Sequence, residues 1–172
     1  MVYTPMNWQD FLTSKWFIGL DAEDQVLVRT AVNLWEKKDS LGEIGDYSFI
    51  VFLMAKVYES FIKKYLFDAG LISSELYHSK RFRIGRALNP DVSQNHRDEW
   101  WLYDDVVRHC GLEMGNSLWE AWLEGRNRVV HSFPGEDSLI SINQAESKVK
   151  MLVTTMEKAQ VCVAEHKNGE IH

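Results

Sequence analysis

The residues best suited to carry out chemistry lie together in the segment Glu124-Gly125-Arg126-Asn127-Arg128-Val129-Val130-His131. An arginine holds a phosphate through parallel N–H bonds and a histidine transfers a proton near neutral pH, so the pair suits phosphoryl transfer. Asn127 and His131 are four residues apart, which places both on one face of a helix. Arg126 lies five residues before His131, about 140° away on the helical wheel. The two converge only through the long arginine side chain, through unwinding of the helix before Pro134, or across a symmetric partner.

Helical periodicity extends through nearly the whole chain, and no segment shows the convincing alternation of a β-strand. The sequence therefore predicts an all-α bundle of about four to six helices. Pro134 should end the helix that carries the motif, because the residue before a proline is disfavoured in helical geometry. The capping-box sequence Ser141-Ile142-Asn143-Gln144 should open the last helix. The predicted helices cover residues 22–38, 47–68, 100–109, 115–131 and 142–166.

The apolar stripes of these helices identify the candidate core. In the first long helix the stripe consists of Leu27, Ala31, Leu34 and Trp35. In the last helix it consists of Ala145, Val149, Leu152, Met156, Ala159 and Val163. The second half of the helix over 47–68 should direct Val57, Phe61 and Tyr65 inward and Glu59, Lys63 and Lys64 towards solvent. The tryptophans at helical spacing are interpreted as core or dimer interface rather than as a platform for base stacking: Trp100, Trp101, Trp119 and Trp122.

One dense basic stretch, from Lys80 to Arg86, is a candidate RNA contact on this otherwise acidic chain. Its cations are interleaved with the aromatic Phe82, which suits a surface that follows a phosphate backbone and stacks a base. We predict that the stretch lies on the face that carries Arg126. The alternative is a solvated segment whose cations pair with acidic side chains elsewhere. The predicted RNA-binding residues are Lys80, Arg81, Arg83, Arg86 and Arg128.

The length of 172 residues, with 45% hydrophobic and 26% charged residues, is that of one folded domain. We interpret residues 1–172 as a single helical domain, in which residues 1–45 form an N-terminal extension and the first helices. The formal net charge of −6 excludes a uniformly basic protein that coats nucleic acid, but it does not exclude a local basic site. The sequence shows no signal-peptide pattern and no apolar run long enough to span a membrane, so we expect a cytoplasmic location and no membrane partner.

The cysteines and histidines do not have the spacing of a metal site. Cys110 and Cys162 are too few for a cysteine cage, and His78, His96 and His109 lack zinc-ligand spacing. We therefore expect no metal, and we expect both cysteines to be reduced thiols.

The string Arg126-Asn127-x-x-x-His131 resembles the R-polar-x(3)-H signature of the HEPN superfamily of helical ribonucleases and nucleotide-binding proteins. In that family the motif ends a bundle helix and precedes a loop and a final helix, a setting that Pro134 and Ser141 reproduce. The resemblance covers the motif and, loosely, the bundle from about Tyr47 to His166, within a HEPN-like core over residues 46–168. Some HEPN toxins carry a modified tyrosine two residues after the histidine. This chain has Phe133 there, so silencing by that route is not expected.

The resemblance implies a metal-independent endoribonuclease with Arg126, Asn127 and His131 as catalytic residues and without a cofactor. It also implies a homodimer with a composite active site that cleaves single-stranded RNA by 2′-hydroxyl attack to give a 2′,3′-cyclic phosphate. Family members commonly act in toxin–antitoxin or defence settings, where an antitoxin or regulatory protein is a partner.

Three alternatives stay open beside the ribonuclease. The first is a non-catalytic HEPN-like module that binds a nucleotide or a protein partner, and the second is a purely structural dimerisation bundle. The third gives the motif no function at all. In that interpretation Arg126 and Arg128 lie on a solvated helix end, pair with Glu120 or Glu124, and leave His131 as a helix cap.

Overall fold

The computed structural model describes residues 7–131, 135 and 138–169, and it describes only the backbone of residues 164–169. Every regular element in these ranges is helical and none is a β-strand, which confirms the predicted all-α class. Phe133 and Pro134 lie outside the described residues. The α-helices are α1 (Lys15–Ile18), α2 (Ala22–Glu36), α3 (Ser48–Asp68), α4 (Ser74–Tyr77), α5 (Ile84–Ala87), α6 (Tyr103–Cys110), α7 (Leu112–Trp122), α8 (Arg128–Val130) and α9 (Ile142–Gly169). A π-helical turn, Leu123–Asn127, joins α7 to α8, and 3₁₀ turns cover Trp8–Thr13, Lys38–Ser40 and Gln94–His96.

Nine α-helical segments lie in the described part of the chain, which is more than the four to six predicted. The short helices α1, α4, α5 and α8 have four residues or fewer. Two of them, α4 and α5, lie in the segment 71–99, where the sequence predicts short helical turns without fixing their bounds. The other two, α1 and α8, were not predicted, because a single helical turn shows no hydrophobic period. The longer helices α2, α3, α6, α7 and α9 build the bundle. No helix in the described ranges combines the length and the apolar character needed to cross a bilayer.

Helix α3 is the centre of the bundle and packs against both α2 and α9. Its residues Ile50, Met54 and Tyr58 are completely buried, in keeping with the apolar run that begins this helix. The Tyr58 hydroxyl donates to the carbonyl oxygen of Leu118 in α7 at 2.8 Å, so a buried polar group joins two helices. Burial raises the pKa of Tyr58 well above its ordinary value, which keeps this hydroxyl a donor.

The N-terminal residues share this core. Trp16 of α1 belongs to the same buried cluster as the residues of α3 and α9. Trp8, from the first 3₁₀ turn, stacks on Trp35 near the end of α2, with ring centroids 4.5 Å apart. The described residues before α3 therefore pack as part of one domain with the rest of the bundle.

The predicted apolar stripe of α2 is right in part. Ala31 is buried as predicted, and Leu27, Leu34 and Trp35 are partly buried against the core, whereas the most buried neighbours of Ala31 are Val28 and Val32, which the stripe did not include. The difference arises because α2 faces α3 along the side that carries the two valines. The helix itself begins after Asp21 as predicted, although the Asp21 side chain makes no capping hydrogen bond.

Helix α9 begins at the predicted capping box. The Ser141 N–H donates to Gln144 Oε1 at 2.8 Å, and the Gln144 N–H donates to Ser141 Oγ at 3.3 Å. Five residues of the predicted stripe are buried and Val163 is partly buried: Ala145, Val149, Leu152, Met156 and Ala159. The sequence therefore identified the inward face of the longest helix.

Asp46 joins the start of α3 to the segment before α9. Its carboxylate accepts the N–H of Ser48 and the N–H of Ile140, each at 3.0 Å, and the hydroxyl of Ser48 at 2.6 Å. Partial burial acts to raise the pKa of Asp46, but these hydrogen bonds to the charged form outweigh it, and the pKa lies below its ordinary value.

Cys110, at the end of α6, and Cys162, in α9, form a disulfide with their Cα atoms 6.0 Å apart. This differs from the expectation of two reduced thiols. The residues are 52 positions apart, and only the packing of the C-terminal end of α6 beside α9 brings them together.

Candidate functional site

The helix that carries the motif is not a regular α-helix over 115–131, as the sequence predicted, because it widens at Leu123–Asn127 into a π-helical turn. In this turn the N–H of Arg128 donates to the carbonyl of Leu123, five residues earlier. The π-helical turn ends at Asn127, and from Asn127 to His131 the backbone closes an ordinary i, i+4 hydrogen bond. Arg126 Nη1 nevertheless lies 3.4 Å from His131 Nε2. Of the three routes to convergence considered above, the long arginine side chain brings the pair together.

Two contacts fix the π-helical turn on α9. Lys148 Nζ donates a hydrogen bond to the carbonyl oxygen of Glu124 at 2.7 Å, so this backbone oxygen of the irregular turn has a partner. Gly125 lies directly on Leu152, where a Cβ atom at position 125 would be only 2.6 Å from Leu152 Cδ2. The turn therefore needs glycine at this position so that its backbone can lie against α9.

Arg126 is held from two sides. Its Nε donates to Glu59 Oε1 of α3 at 3.0 Å, and its guanidinium carbon lies 5.7 Å from the centre of the Trp122 ring, within cation–π range. The side chain is 25% exposed, so the terminal nitrogens remain accessible to an anion. Arg126 does not pair with Glu120 or Glu124, whereas Arg128 pairs with Glu124 as the alternative interpretation proposed.

His131 forms the C-cap of α8 and is exposed. Its backbone N–H donates to the carbonyl of Asn127 at 3.1 Å, so the two residues share one helical turn as predicted.

These residues line an open cleft of about 710 Å³. One wall is α3, the second is α5 together with the segment before it, and the third is the end of α7 together with the π-helical turn. Among the described residues that line it, five are cations and one, Glu59, is an anion, although the whole chain carries a formal charge of −6. A cleft walled by protein concentrates the field of such a cluster, which favours a polyanion. The cations are Lys63, Lys80, Arg83, Arg86 and Arg126.

The cleft brings together six of the eight predicted site residues: Arg126, Asn127, His131, Lys80, Arg83 and Arg86. The other two, Arg81 and Arg128, are exposed and do not line it. Within the basic stretch, Arg83 donates to the carbonyl of Lys80 at 2.8 Å. Arg86 pairs with Asp98 at 2.6 Å, so this one cation also fits the alternative of a segment that pairs with acidic residues.

The sequence reasoning missed four residues of the cleft: Glu59, Ser60, Lys63 and Trp122. Glu59 and Lys63 were expected to face solvent, and both are partly exposed. The solvent they face is that of the open cleft, because the segment before α5 forms a second wall opposite this face of α3. The i, i+4 spacing of Glu59 and Lys63 was a signal that they share a face. Trp122 is half-buried and stacks on Trp119, with ring centroids 5.4 Å apart.

Gly85 sets the spacing between the two walls of the cleft. A Cβ atom at this position would lie 2.2 Å from Trp122 Cη2 and Cζ2, so the backbone of α5 rests directly on the indole ring. Trp122 in turn lies under Arg126. The glycine thus places the basic stretch next to the motif.

One group of metal-ligating side chains occurs in the described part of the chain, and it does not line the cleft. It consists of His109 and Cys110 at the end of α6 and Cys162 within α9. The cleft itself offers a base, guanidinium groups and an amide, which suits the binding of a phosphate and the transfer of a proton.

No protein-family model, curated protein or solved structure matches the chain.

Proposed function

We propose that this protein is a metal-independent endoribonuclease of the HEPN type, with Arg126, Asn127 and His131 as its catalytic residues. The observation that carries the proposal is the approach of Arg126 Nη1 to His131 Nε2, at 3.4 Å, inside a cleft rich in cations. A base and a guanidinium beside one anionic group are what the cleavage of a phosphodiester needs. The HEPN assignment rests on the resemblance of the motif and on the all-helical fold around it.

In the proposed reaction, a neutral His131 imidazole takes the proton of the RNA 2′-hydroxyl, whose oxygen attacks the adjacent phosphorus. The bond to the 5′-oxygen breaks, and a second imidazole donates a proton to that leaving group. Arg126 holds the non-bridging oxygens as negative charge grows on them, and Asn127 orients the imidazole or the scissile phosphate. The products are a 2′,3′-cyclic phosphate and a 5′-hydroxyl, and no metal or other cofactor takes part.

The second imidazole comes, in this proposal, from a second copy of the chain. A homodimer that pairs the motif-bearing helix ends brings two copies of His131 to one phosphate. Exposed apolar side chains beside the motif support such pairing: Phe52 of α3 is 44% exposed and Val130 of α8 is 38% exposed, and both line a shallow groove. Substitution of Val130 by glutamate should give a monomer, whereas Ile18→Glu, at an exposed position of α1 outside this groove, should not.

The proposed substrate is single-stranded RNA, because the cleft is open and offers cations to a flexible backbone. The proposed location is the cytoplasm. A toxin–antitoxin or defence setting, with an antitoxin or regulatory protein as partner, follows only from the resemblance.

The direct test is incubation of bulk RNA with the protein in EDTA, comparing wild type with His131→Ala. Wild type should cleave, and the products should carry 2′,3′-cyclic phosphate and 5′-hydroxyl ends. His131→Ala should lose activity by at least about a hundredfold while it keeps its helical circular dichroism. His96→Ala removes an exposed histidine outside the cleft and is the matched control. Equal activity of wild type and His131→Ala would overturn the proposal.

The ion pair between Arg126 and Glu59 favours a second candidate, a non-catalytic HEPN-like module that binds a nucleotide or a protein partner. A carboxylate on the guanidinium offsets part of its positive charge and so weakens its attraction for a phosphate. This candidate predicts saturable binding of RNA or nucleotide to the cleft, weakened by Arg126→Ala, without product formation by any preparation of the protein.

A further inference from the structure

The end of α6 and a position within α9 bring three metal-ligating side chains close together. His109 and Cys110 close α6, and Cys162 lies on α9. One ring nitrogen of His109 and the two cysteine sulfurs all lie within 4.8 Å of one another, and the three residues are half-buried. Since His109 and Cys110 are adjacent while Cys162 follows 52 residues later, the sequence spacing conceals this arrangement.

Two thiolates and an imidazole are ligands that zinc prefers. Bond lengths of about 2.0 to 2.3 Å to nitrogen and sulfur put the ligand atoms of a tetrahedral site about 3.5 to 3.8 Å apart. The three atoms here lie close enough to reach that spacing with small side-chain adjustments once the sulfur–sulfur bond is open. The Cα separation of 6.0 Å between the cysteines leaves room for either a disulfide or a shared ion.

The surroundings of Cys110 suit a thiolate. The hydroxyl of Tyr65 donates to Cys110 Sγ at 3.1 Å, and a hydrogen bond of this kind supports a metal-bound sulfur. A shallow surface depression of about 330 Å³, lined by both cysteines together with Glu113 and Lys158, gives an ion access from solvent.

We propose that reduction of the Cys110–Cys162 disulfide opens a zinc site formed by His109, Cys110 and Cys162. A dithiol supplies the two electrons and two protons that convert the disulfide to two thiols, and it is itself oxidised to a disulfide. Zn²⁺ then binds both sulfurs as thiolates and the neutral imidazole, and the two thiol protons pass to the buffer. The disulfide and the zinc ion use the same two sulfurs, so only one of them can be present at a time. Each of them links α6 to α9.

Three ligands leave a fourth tetrahedral position. A water molecule can fill this position. None of the three described ligands lines the cationic cleft, so the zinc site acts on the structure of the bundle and is independent of the proposed cleavage.

The test measures zinc binding by the full chain, without RNA. Protein reduced with dithiothreitol and desalted without oxygen is titrated with Zn²⁺ against a chromophoric chelator, and with Co²⁺ in the spectrophotometer. Reduced wild type should bind one ion per chain, release two protons for each zinc, and show the near-ultraviolet charge-transfer band of cobalt bound to thiolate. The same protein with its disulfide intact should show none of these.

Variants locate the ion. Cys110→Ser and Cys162→Ser should each lose the charge-transfer intensity of one sulfur, and His109→Ala should bind zinc at least about tenfold more weakly. His96→Ala removes a histidine elsewhere and should bind as wild type does. The proposal is overturned if reduced wild type binds no zinc at micromolar free ion, or if the double cysteine variant, folded by circular dichroism, binds it equally well.

Discussion

The carboxylate of Glu59 binds Nε of Arg126 at 3.0 Å and so leaves the two terminal nitrogens of that guanidinium free to face the cleft. Nη1 is the atom that approaches His131 Nε2. A residue of the central helix thus orients the arginine of the motif, while its own negative charge opposes the entry of a phosphate.

This relationship predicts opposite effects on binding and on cleavage. Glu59→Gln should tighten RNA binding, because it removes the negative charge in the cleft. It should also lower kcat by about tenfold, because Arg126 loses the charged partner that orients it. Separate measurements of RNA affinity and of single-turnover cleavage check this. Glu120→Gln makes the same change of charge on an exposed residue outside the cleft and should alter neither quantity.

The arginine itself should not tolerate a conservative replacement. Arg126→Lys keeps the positive charge but cannot bind Glu59 and a phosphate at the same time through a planar group. We expect kcat/KM to fall by about a hundredfold while RNA affinity changes little. Arg128→Lys is the matched control, since Arg128 pairs with Glu124 and does not line the cleft. Near-wild-type cleavage by Arg126→Lys would contradict the role given to the guanidinium.

Much of this site could be predicted from the sequence, because its central residues lie within one helical segment. The i, i+4 spacing related Asn127 to His131, and the density of cations singled out the stretch from Lys80 to Arg86. The convergence of Arg126 with His131 could be posed only as a set of options. In the structure the arginine side chain itself reaches the imidazole, and Glu59 of α3, in a distant part of the chain, binds its Nε.

The residues whose surroundings the sequence did not predict share one physical cause. Val28 and Val32 were not recognised as core, and Glu59 was not recognised as part of the site, because helical periodicity gives the faces of a helix but not the identity of their neighbours. The pairing of Cys110 with Cys162 depends likewise on which helix ends meet. The stripe of α9 was predicted well because that helix is long and its period is regular.

Reversing the charge of two cationic residues in the cleft should weaken RNA binding and reduce the salt dependence of the affinity. Lys80→Glu with Arg83→Glu removes two cationic side chains that line the cleft. The slope of log affinity against log salt should decrease by more than about one unit. Arg81→Glu with Arg108→Glu changes the net charge equally at residues outside the cleft and should leave the slope nearly unchanged. Equal slopes for the two double variants would show that the cleft does not bind the RNA backbone.

The contact between Gly85 and Trp122 predicts a loss of stability from the smallest added side chain. Gly85→Ala places a methyl group 2.2 Å from the indole, so either the ring or α5 must move. We expect the free energy of unfolding to fall by about 1 to 3 kcal/mol in denaturant titrations. Gly45→Ala meets nothing within 4 Å and is the control. Cleavage should fall as well, since the displaced ring supports Arg126.

Asp46 predicts a pH-dependent contribution to stability. Its hydrogen bonds with Ser48 and Ile140 lower its pKa in the folded protein below the ordinary value of 3.8. The stabilisation is therefore complete above that ordinary value and is lost as the pH falls through the lower folded-state pKa. Asp46→Ala should cost about 1 kcal/mol at pH 7, and the difference from wild type should shrink below pH 4. Asp39→Ala, at a side chain that is 89% exposed, should show no comparable trend.

Gly85, which has no side chain, also limits which substitutions this sequence can accumulate in evolution. A side chain at 85 and an indole at 122 occupy the same volume, so neither position can change alone without a cost. Descendants of this chain should therefore keep glycine at 85 wherever they keep a large aromatic residue at 122. They should gain a side chain at 85 only together with a smaller residue at 122. A correlation between the residues at positions 85 and 122, which are 37 positions apart, would show that the two walls of the cleft evolve together.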